Sequence, residues 1–255
     1  MADMDTARWL AWEGVRNARD LGGYRTADGR ETRWGAVARS DELSPLTDAG
    51  RVALLAHGIR TIIDLRRPDE TTRVPNPFAA PGTHPVAYMN LPLTDPDIPQ
   101  APVHYDTLTD DHSLADDYRD RLTQFAPRVG AILSATARAP AGGVLIHCAA
   151  GKDRTGLVCA LLLDLVDVDH ETIAADYALS AAVQWPEDAE WLAHGPGKRA
   201  ARERALARWE ARPDVMRMIL THLDTDYGGA AGYLLRAGVT SDDLARLHAR
   251  LVAPE

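Results

Sequence analysis

Apolar residues along this chain fall in two rhythms. "IRTIIDL" (59–65) and "VLIH" (144–147) are short runs rich in β-branched residues with apolar positions side by side, the pattern of strands buried on both faces. "DAGRVALLAH" (48–57) instead repeats at helical spacing, with Thr47 placed to cap it, Leu46 to staple it and Gly58 to end it. "WGAVAR" and "HPVAYMNL" predict further strands, and Asp28-Gly29 a hairpin-like turn. A helix is expected over about 115–125, and Pro127 opens a second, "PRVGAILSATAR". Strands alternating with helices at this spacing imply a mostly parallel central sheet flanked by helices. From His170 the pattern is helical almost to the end, interrupted by glycine-rich stretches at 195–197 and 228–232. The expectation is one domain: an α/β core over about 14–180 and a helical C-terminal part over about 181–255.

Composition narrows the setting. The longest apolar stretch, Leu157–Val166, is broken by Asp164 and falls short of the ~20 residues a membrane helix needs. "MADMDTARWLAWEG" has early acids and no basic-then-apolar leader pattern, so cytoplasm is the default location, with a non-classical export route left open. The net charge is −9 and no basic block is present, which argues against a nucleic-acid partner. Of the 28 Lys and Arg residues only Lys152 and Lys198 are lysine. The cysteines, Cys148 and Cys159, lie 11 positions apart; with the second on a helix they should not pair, and Cys159 reads as a buried small hydrophobe.

Residues 147–156, "HCAAGKDRTG", join the strand "VLIH" to a strongly apolar helix. A loop at such a junction sits at the carboxyl edge of the sheet, where open α/β folds bind ligands. Backbone N–H groups from Ala149 to Arg154 can curl around an anion, aided by the helix dipole. Ala149, Ala150 and Gly151 are small enough to let the backbone come close, and Arg154 adds a planar fork for two phosphate oxygens. Thiols at helix N-termini beside cations fall from about 8.5 to about 3.5–7.5, so Cys148 is expected to be largely thiolate, set for in-line attack on a bound phosphorus. Thr155 could donate its hydroxyl to the sulfur. Two other readings of the loop fail: Ile146 stands where a nucleotide-binding loop needs glycine, and no second Cys pair completes a zinc site. No metal or cofactor is called for.

The motif resembles the H-C-x5-R-[ST] signature of the cysteine-dependent protein tyrosine phosphatase superfamily, and more narrowly its bacterial branch of tyrosine, dual-specificity and phosphoinositide phosphatases. "NARDLGGYRT", "ARSDELSPLTDAG", "IRTIIDLRRPDE", "AADYALS" and "YGGAAGYLLRAGVT" resemble segments of that branch in the same order. Ala18 departs from it, standing where relatives commonly carry an aromatic residue. The resemblance implies a single phosphatase domain that hydrolyses phosphomonoesters through a phosphocysteine, on phosphotyrosine with phosphoserine/threonine or phosphoinositides as further substrates. It also implies an aspartic acid that protonates the leaving group. Asp95, in "NLPLTDPDIPQ", follows a stretch similar to the branch's L-P-x-x-D and is the first candidate; Asp97, Asp153 and Asp64 remain alternatives, Asp64 fitting an ion-pair network better.

Residues 91–118 hold seven aspartates and no Lys or Arg, either a solvated acidic loop or a lid that orders over substrate. The resemblance favours some helical cover without saying which segment supplies it. His147 would hydrogen-bond nearby backbone, holding the loop in shape or simply satisfying a core histidine. Lys152, with Asp153, would bear on substrate choice, a lysine on the loop's rim meeting a second phosphate. The rival classes are a catalytically silent phosphate-binding adaptor, disfavoured because Cys148 and Arg154 are both kept, and a loop-thiol reductase, for which Cys159 is a distant resolving cysteine. Partner proteins and oligomeric state are not legible.

Overall fold

The computed structural model describes residues 7–80, 82, 84–94 and 113–253. Its elements run β1 (Arg19–Asp20), β2 (Val37–Ser40), α1 (Asp48–Ala56), β3 (Ile59–Asp64), α2 (Pro68–Arg73), β4 (Ala87–Asn90), α3 (Leu114–Gln124), α4 (Ala126–Arg138), β5 (Gly143–His147) and α5 (Asp153–Asp164). Then come α6 (His170–His194), α7 (Arg199–Trp209), α8 (Pro213–Tyr227), α9 (Ala230–Arg236) and α10 (Ser241–Leu251). Among the described residues the strands form one sheet in the order β1-β2-β5-β3-β4, parallel except for the short edge strand β1.

The expected elements appear with their ends adjusted by local chemistry. Thr47 Oγ1 accepts the Gly50 N–H at 3.1 Å and starts α1. The strand expected at "WGAVAR" begins only at Val37, because Gly35 takes a left-handed φ of 71° in the turn before it. In "HPVAYMNL" the strand starts at Ala87, two residues past Pro85, which has no N–H to give a ladder. Of the glycines at 228–232, Gly228 and Gly229 separate α8 from α9, while Gly232 lies inside α9, where a Cβ would fall 1.9 Å from the Tyr227 carbonyl oxygen. That glycine serves close packing and breaks nothing.

Burial on both faces alternates along β5 and the end of β3, and an irregularity between Ile59 and Thr61 brings Ile59 to the same side as Ile62. Ile63, Val144 and Ile146 join the larger apolar cluster with α5, while Ile59, Ile62 and Leu145 join the other with Leu54, Trp12 and Phe78. The C-terminal helices pack on the larger cluster through Met216, Leu220, Tyr233 and Leu247. Among the described residues no helix is long and apolar enough to cross a membrane.

Candidate active site

The sheet delivers its chemistry to one edge. Ser40, His147, Asp64 and Asn90 are in register across four neighbouring strands, at the carboxyl end of each. The loop that follows His147 curls above this row. It can do so because Gly151 adopts φ 66°; a Cβ there would sit 2.6 Å from the Ser40 carbonyl oxygen.

Each carbonyl of the loop has a donor outside it. Cys148 O faces His147 Nδ1 at 3.1 Å, Ala149 O accepts the Glu42 N–H at 2.9 Å, and Ala150 O accepts from Asn17 Nδ2 at 2.9 Å. Gly151 O accepts from Arg39 Nη2 at 2.7 Å, and Lys152 O accepts the Gly156 N–H at 2.7 Å. In a trans peptide the C=O and the next residue's N–H point opposite ways, and no described peptide is cis. Five carbonyls drawn outward therefore turn the amides of Ala149, Ala150, Gly151, Lys152 and Asp153 inward, beside Cys148. That is an anion nest continued by the first turn of α5.

His147 has one consistent tautomer. Asn76 Oδ1 accepts the Phe78 N–H at 2.9 Å, which aims Asn76 Nδ2 at His147 Nε2, also 2.9 Å away. Nε2 is thus an acceptor, the proton sits on Nδ1, and Nδ1 donates to Cys148 O.

Arg154 stands in the first turn of α5 with its guanidinium on Glu70: Nη1 to Oε2 is 2.6 Å and Nη2 to Oε1 is 2.9 Å. Burial works to lower the Arg154 pKa, but the Glu70 hydrogen bonds and the nearby Cys148 sulfur more than offset it, so the group stays cationic. Glu70 also accepts the Arg67 N–H at 2.8 Å, so the short α2 holds the carboxylate that holds the arginine. Cys148 is 2% exposed. Thr155 is buried below the loop, and its hydroxyl has no hydrogen-bond partner among the described residues, the Cys148 sulfur included. Lys152, expected on the rim, is only 8% exposed, with Nζ 3.3 Å from Asp153 Oδ1. Cys159 is buried inside α5 as a free thiol, and burial pushes its pKa up to about 11.

The candidate acids separate. Asp95 and Asp97 lie outside the described residues. Asp153 accepts a 2.6 Å hydrogen bond from the Tyr118 hydroxyl of α3. Burial works to raise its pKa, yet Lys152, Arg121 and Tyr118 hold it below the ordinary carboxylate value. Asp64 is bound to Arg66, with Asn76, Tyr88 and His147 around it; burial opposes its ionisation, but the Arg66 guanidinium keeps it well below the usual range.

Several groups that shape the site went unassigned in the sequence: Glu70, Asn17, Arg39, Glu42, Asn76 and Asp176. Asn17, Arg39, Glu42, Glu70 and Asp176 sit in segments noted for family likeness without roles, and Asn76 lies outside them. Beside the loop lies a cavity of about 280 Å³ whose walls include Arg16, Asn17, Asp41, Ala149 and Ala150.

A strand, a loop bearing a cysteine, and a helix with an arginine in its first turn make the arrangement that a cysteine phosphatase needs. Residues 10–253 match the tyrosine phosphatase family, and the chain belongs to it. It is 33% identical over 222 residues to a tyrosine-protein phosphatase of Nostoc commune, covering 85% of this chain and 74% of that protein. It is 31% identical over 280 residues to the triple specificity protein phosphatase PtpB of Mycobacterium tuberculosis, covering 94% and 97%. The chain is accordingly a phosphatase of the protein tyrosine phosphatase type.

Proposed function

We propose that this enzyme hydrolyses phosphotyrosine through a phosphocysteine, with Cys148 as nucleophile and Arg154 and the inward amides of 149–153 gathering the phosphoryl oxygens. The observation that carries the reading is the outward turn of five successive loop carbonyls around Cys148. The Cys148 thiolate forms the S–P bond as the P–O bond to the leaving group breaks, and the departing phenoxide takes a proton from an aspartic acid. Water then cleaves the S–P bond, releasing phosphate and restoring the thiolate. Amide donors aimed at the transferring group suit its in-line transition state.

Asp95 is the proposed acid: it follows β4 in the sequence, within the stretch similar to L-P-x-x-D, and the lowered pKa of Asp153 weighs against that alternative. The relative named for triple specificity supports phosphoserine/threonine and a third class of substrate as secondary activities. The folded-down Lys152 gives phosphoinositides less support than a free rim cation would. We assign the chain as a single phosphatase domain, with no cofactor.

The test is hydrolysis of 4-nitrophenyl phosphate with a chelator present. Turnover is expected in the wild type and not in Cys148→Ser. Equal turnover in both would end the covalent mechanism. Phosphopeptide binding without product release would point to the silent adaptor instead.

A further inference from the structure

Behind the loop, and away from the reacting sulfur, lies a buried cluster that this mechanism does not use. Asp176, on α6, is 2% exposed and accepts from two arginines. Arg39 Nη1 donates to its Oδ2 at 2.7 Å, and Arg19 Nε donates to its Oδ1 at 2.9 Å. The Tyr24 hydroxyl adds a third bond, to Oδ1 at 2.9 Å. Ser180 Oγ lies 3.2 Å from Arg19 Nη2, which also donates to the Asp176 carbonyl at 2.8 Å.

Both guanidiniums lead to the loop. Arg39 Nη2 ends on Gly151 O at 2.7 Å. Arg19 Nη1 donates to Asn17 Oδ1, and Asn17 Nδ2 ends on Ala150 O at 2.9 Å. These are two consecutive carbonyls of the nest. By the antiparallel geometry of the peptide, they set the directions of the Gly151 and Lys152 amides.

We propose that Asp176 is a positioning residue for phosphoryl binding, its carboxylate bracing two struts, Asp176–Arg39–Gly151 and Asp176–Arg19–Asn17–Ala150, that hold the loop amides inward. The inference rests on the phosphatase reading above. A carboxylate is required in this place because two buried guanidiniums without a counter-charge repel one another and are costly to desolvate. It binds both at once, Oδ1 taking Arg19 Nε and Oδ2 taking Arg39 Nη1, with Arg19 Nη2 a longer 3.5 Å from Oδ2. The cluster of two guanidiniums and one carboxylate also leaves a positive charge behind the loop, in surroundings that salt screens poorly. Such a charge favours a dianion in the nest. Asp176 lies 28 positions after Cys148 and on another helix, so no motif written around the cysteine contains it.

Removing Asp176 alone risks unfolding, since it strands two buried cations. The informative variants are Asn17→Ala, which cuts one strut without disturbing charge, and Arg39→Lys, which keeps the charge but cannot span both Asp176 and Gly151. Each is measured by melting temperature, by kcat/KM on 4-nitrophenyl phosphate and by direct calorimetric affinity for orthovanadate. The expected result is vanadate affinity weakened about tenfold in each, with kcat/KM reduced by a matching factor. Asp176→Asn, where it folds, should lose at least as much as either. If kcat falls only through a smaller folded fraction, with vanadate affinity per folded molecule unchanged, the cluster is merely structural and the proposal is wrong. Wild-type protein that neither binds vanadate nor turns over would overturn the phosphatase reading and this inference with it. Wild-type binding with indifferent variants would overturn the struts alone.

Discussion

Glu70 receives the Arg154 guanidinium end-on, one carboxylate oxygen to each terminal nitrogen, at 2.6 and 2.9 Å. The pairing fixes the plane of the fork and leaves the edge made by Nε and Nη2 for a second anion. Glu70 is itself fastened by the Arg67 N–H at the start of α2. It therefore fixes the orientation of the Arg154 guanidinium.

Glu70→Gln keeps the shape and removes one acceptor and the negative charge. A charge-assisted bond contributes about 1.5–3 kcal/mol, so kcat/KM on an aryl phosphate is expected to fall roughly 10- to 100-fold. Arg154→Lys should lose more, on the order of 10²–10³ in kcat, as for removal of a transition-state donor. Steady-state kinetics on both variants check this. Unchanged kinetics in Glu70→Gln would remove Glu70 from the site.

How much of this was legible in the sequence depends on chain separation. Cys148, Gly151 and Arg154 were visible because strand, loop and helix are contiguous and their chemistry is local. The inner strands announced themselves through "IRTIIDL" and "VLIH", whose apolar runs admit burial on both faces. Glu70 and Asp176 were not legible as site residues: one lies 84 positions before Arg154, the other 157 after Arg19, and only the sheet order brings them in. The edge strand β1 was missed because two residues carry no period. Lys152 reads as a rim cation until its neighbour Asp153 is seen to draw it down.

Stability should fall on acidification, and the sign follows from the carboxylates. Burial alone would raise the pKa of Asp64, Glu70, Asp153 and Asp176, but their cationic partners hold each below its ordinary value. A group with a depressed folded-state pKa contributes stability that is fully present above the unfolded value and lost as pH falls through the folded one. With unfolded values near 3.9–4.3, the melting temperature should hold between about pH 7 and pH 5 and drop below about pH 4. Thermal melts across that range provide the check. A melting temperature that rises on acidification would contradict the ion-pair assignments.

The alkaline side of activity should report the general acid, since that group must be protonated to act. The surroundings of Asp153 hold its pKa below the ordinary value, so Asp153→Asn is expected to keep the fall in kcat/KM at high pH, whatever it does to the maximum. Asp95→Asn should abolish that fall and slow poor leaving groups more than good ones. A lost alkaline limb in Asp153→Asn, with Asp95→Asn behaving like wild type, would transfer the role.

The sharpest backbone test is Gly151→Ala. Gly151 has φ 66°, and a Cβ would lie 2.6 Å from Ser40 O and 2.7 Å from Asp41 N, both backbone atoms that cannot swing aside. The left-handed conformation alone costs an alanine about 1–2 kcal/mol. The clash adds to this by pushing the loop off β2, where Gly151 O meets Arg39 and the neighbouring Ala149 O meets Glu42 N–H. Relief requires turning a peptide whose amide faces the nest, so phosphoryl binding should fail before the fold does. The expected outcome is a melting temperature lowered by several degrees with loss of vanadate binding out of proportion to it. Gly29→Ala is the control: it also has a positive φ, 85°, but no atom lies within 4 Å of its added Cβ, and it is far from the loop in sequence. That variant should show a comparable backbone penalty with vanadate binding intact. Vanadate binding in Gly151→Ala as good as in Gly29→Ala would mean that the nest tolerates either peptide geometry, and the inward amides would no longer explain how the site holds its anion.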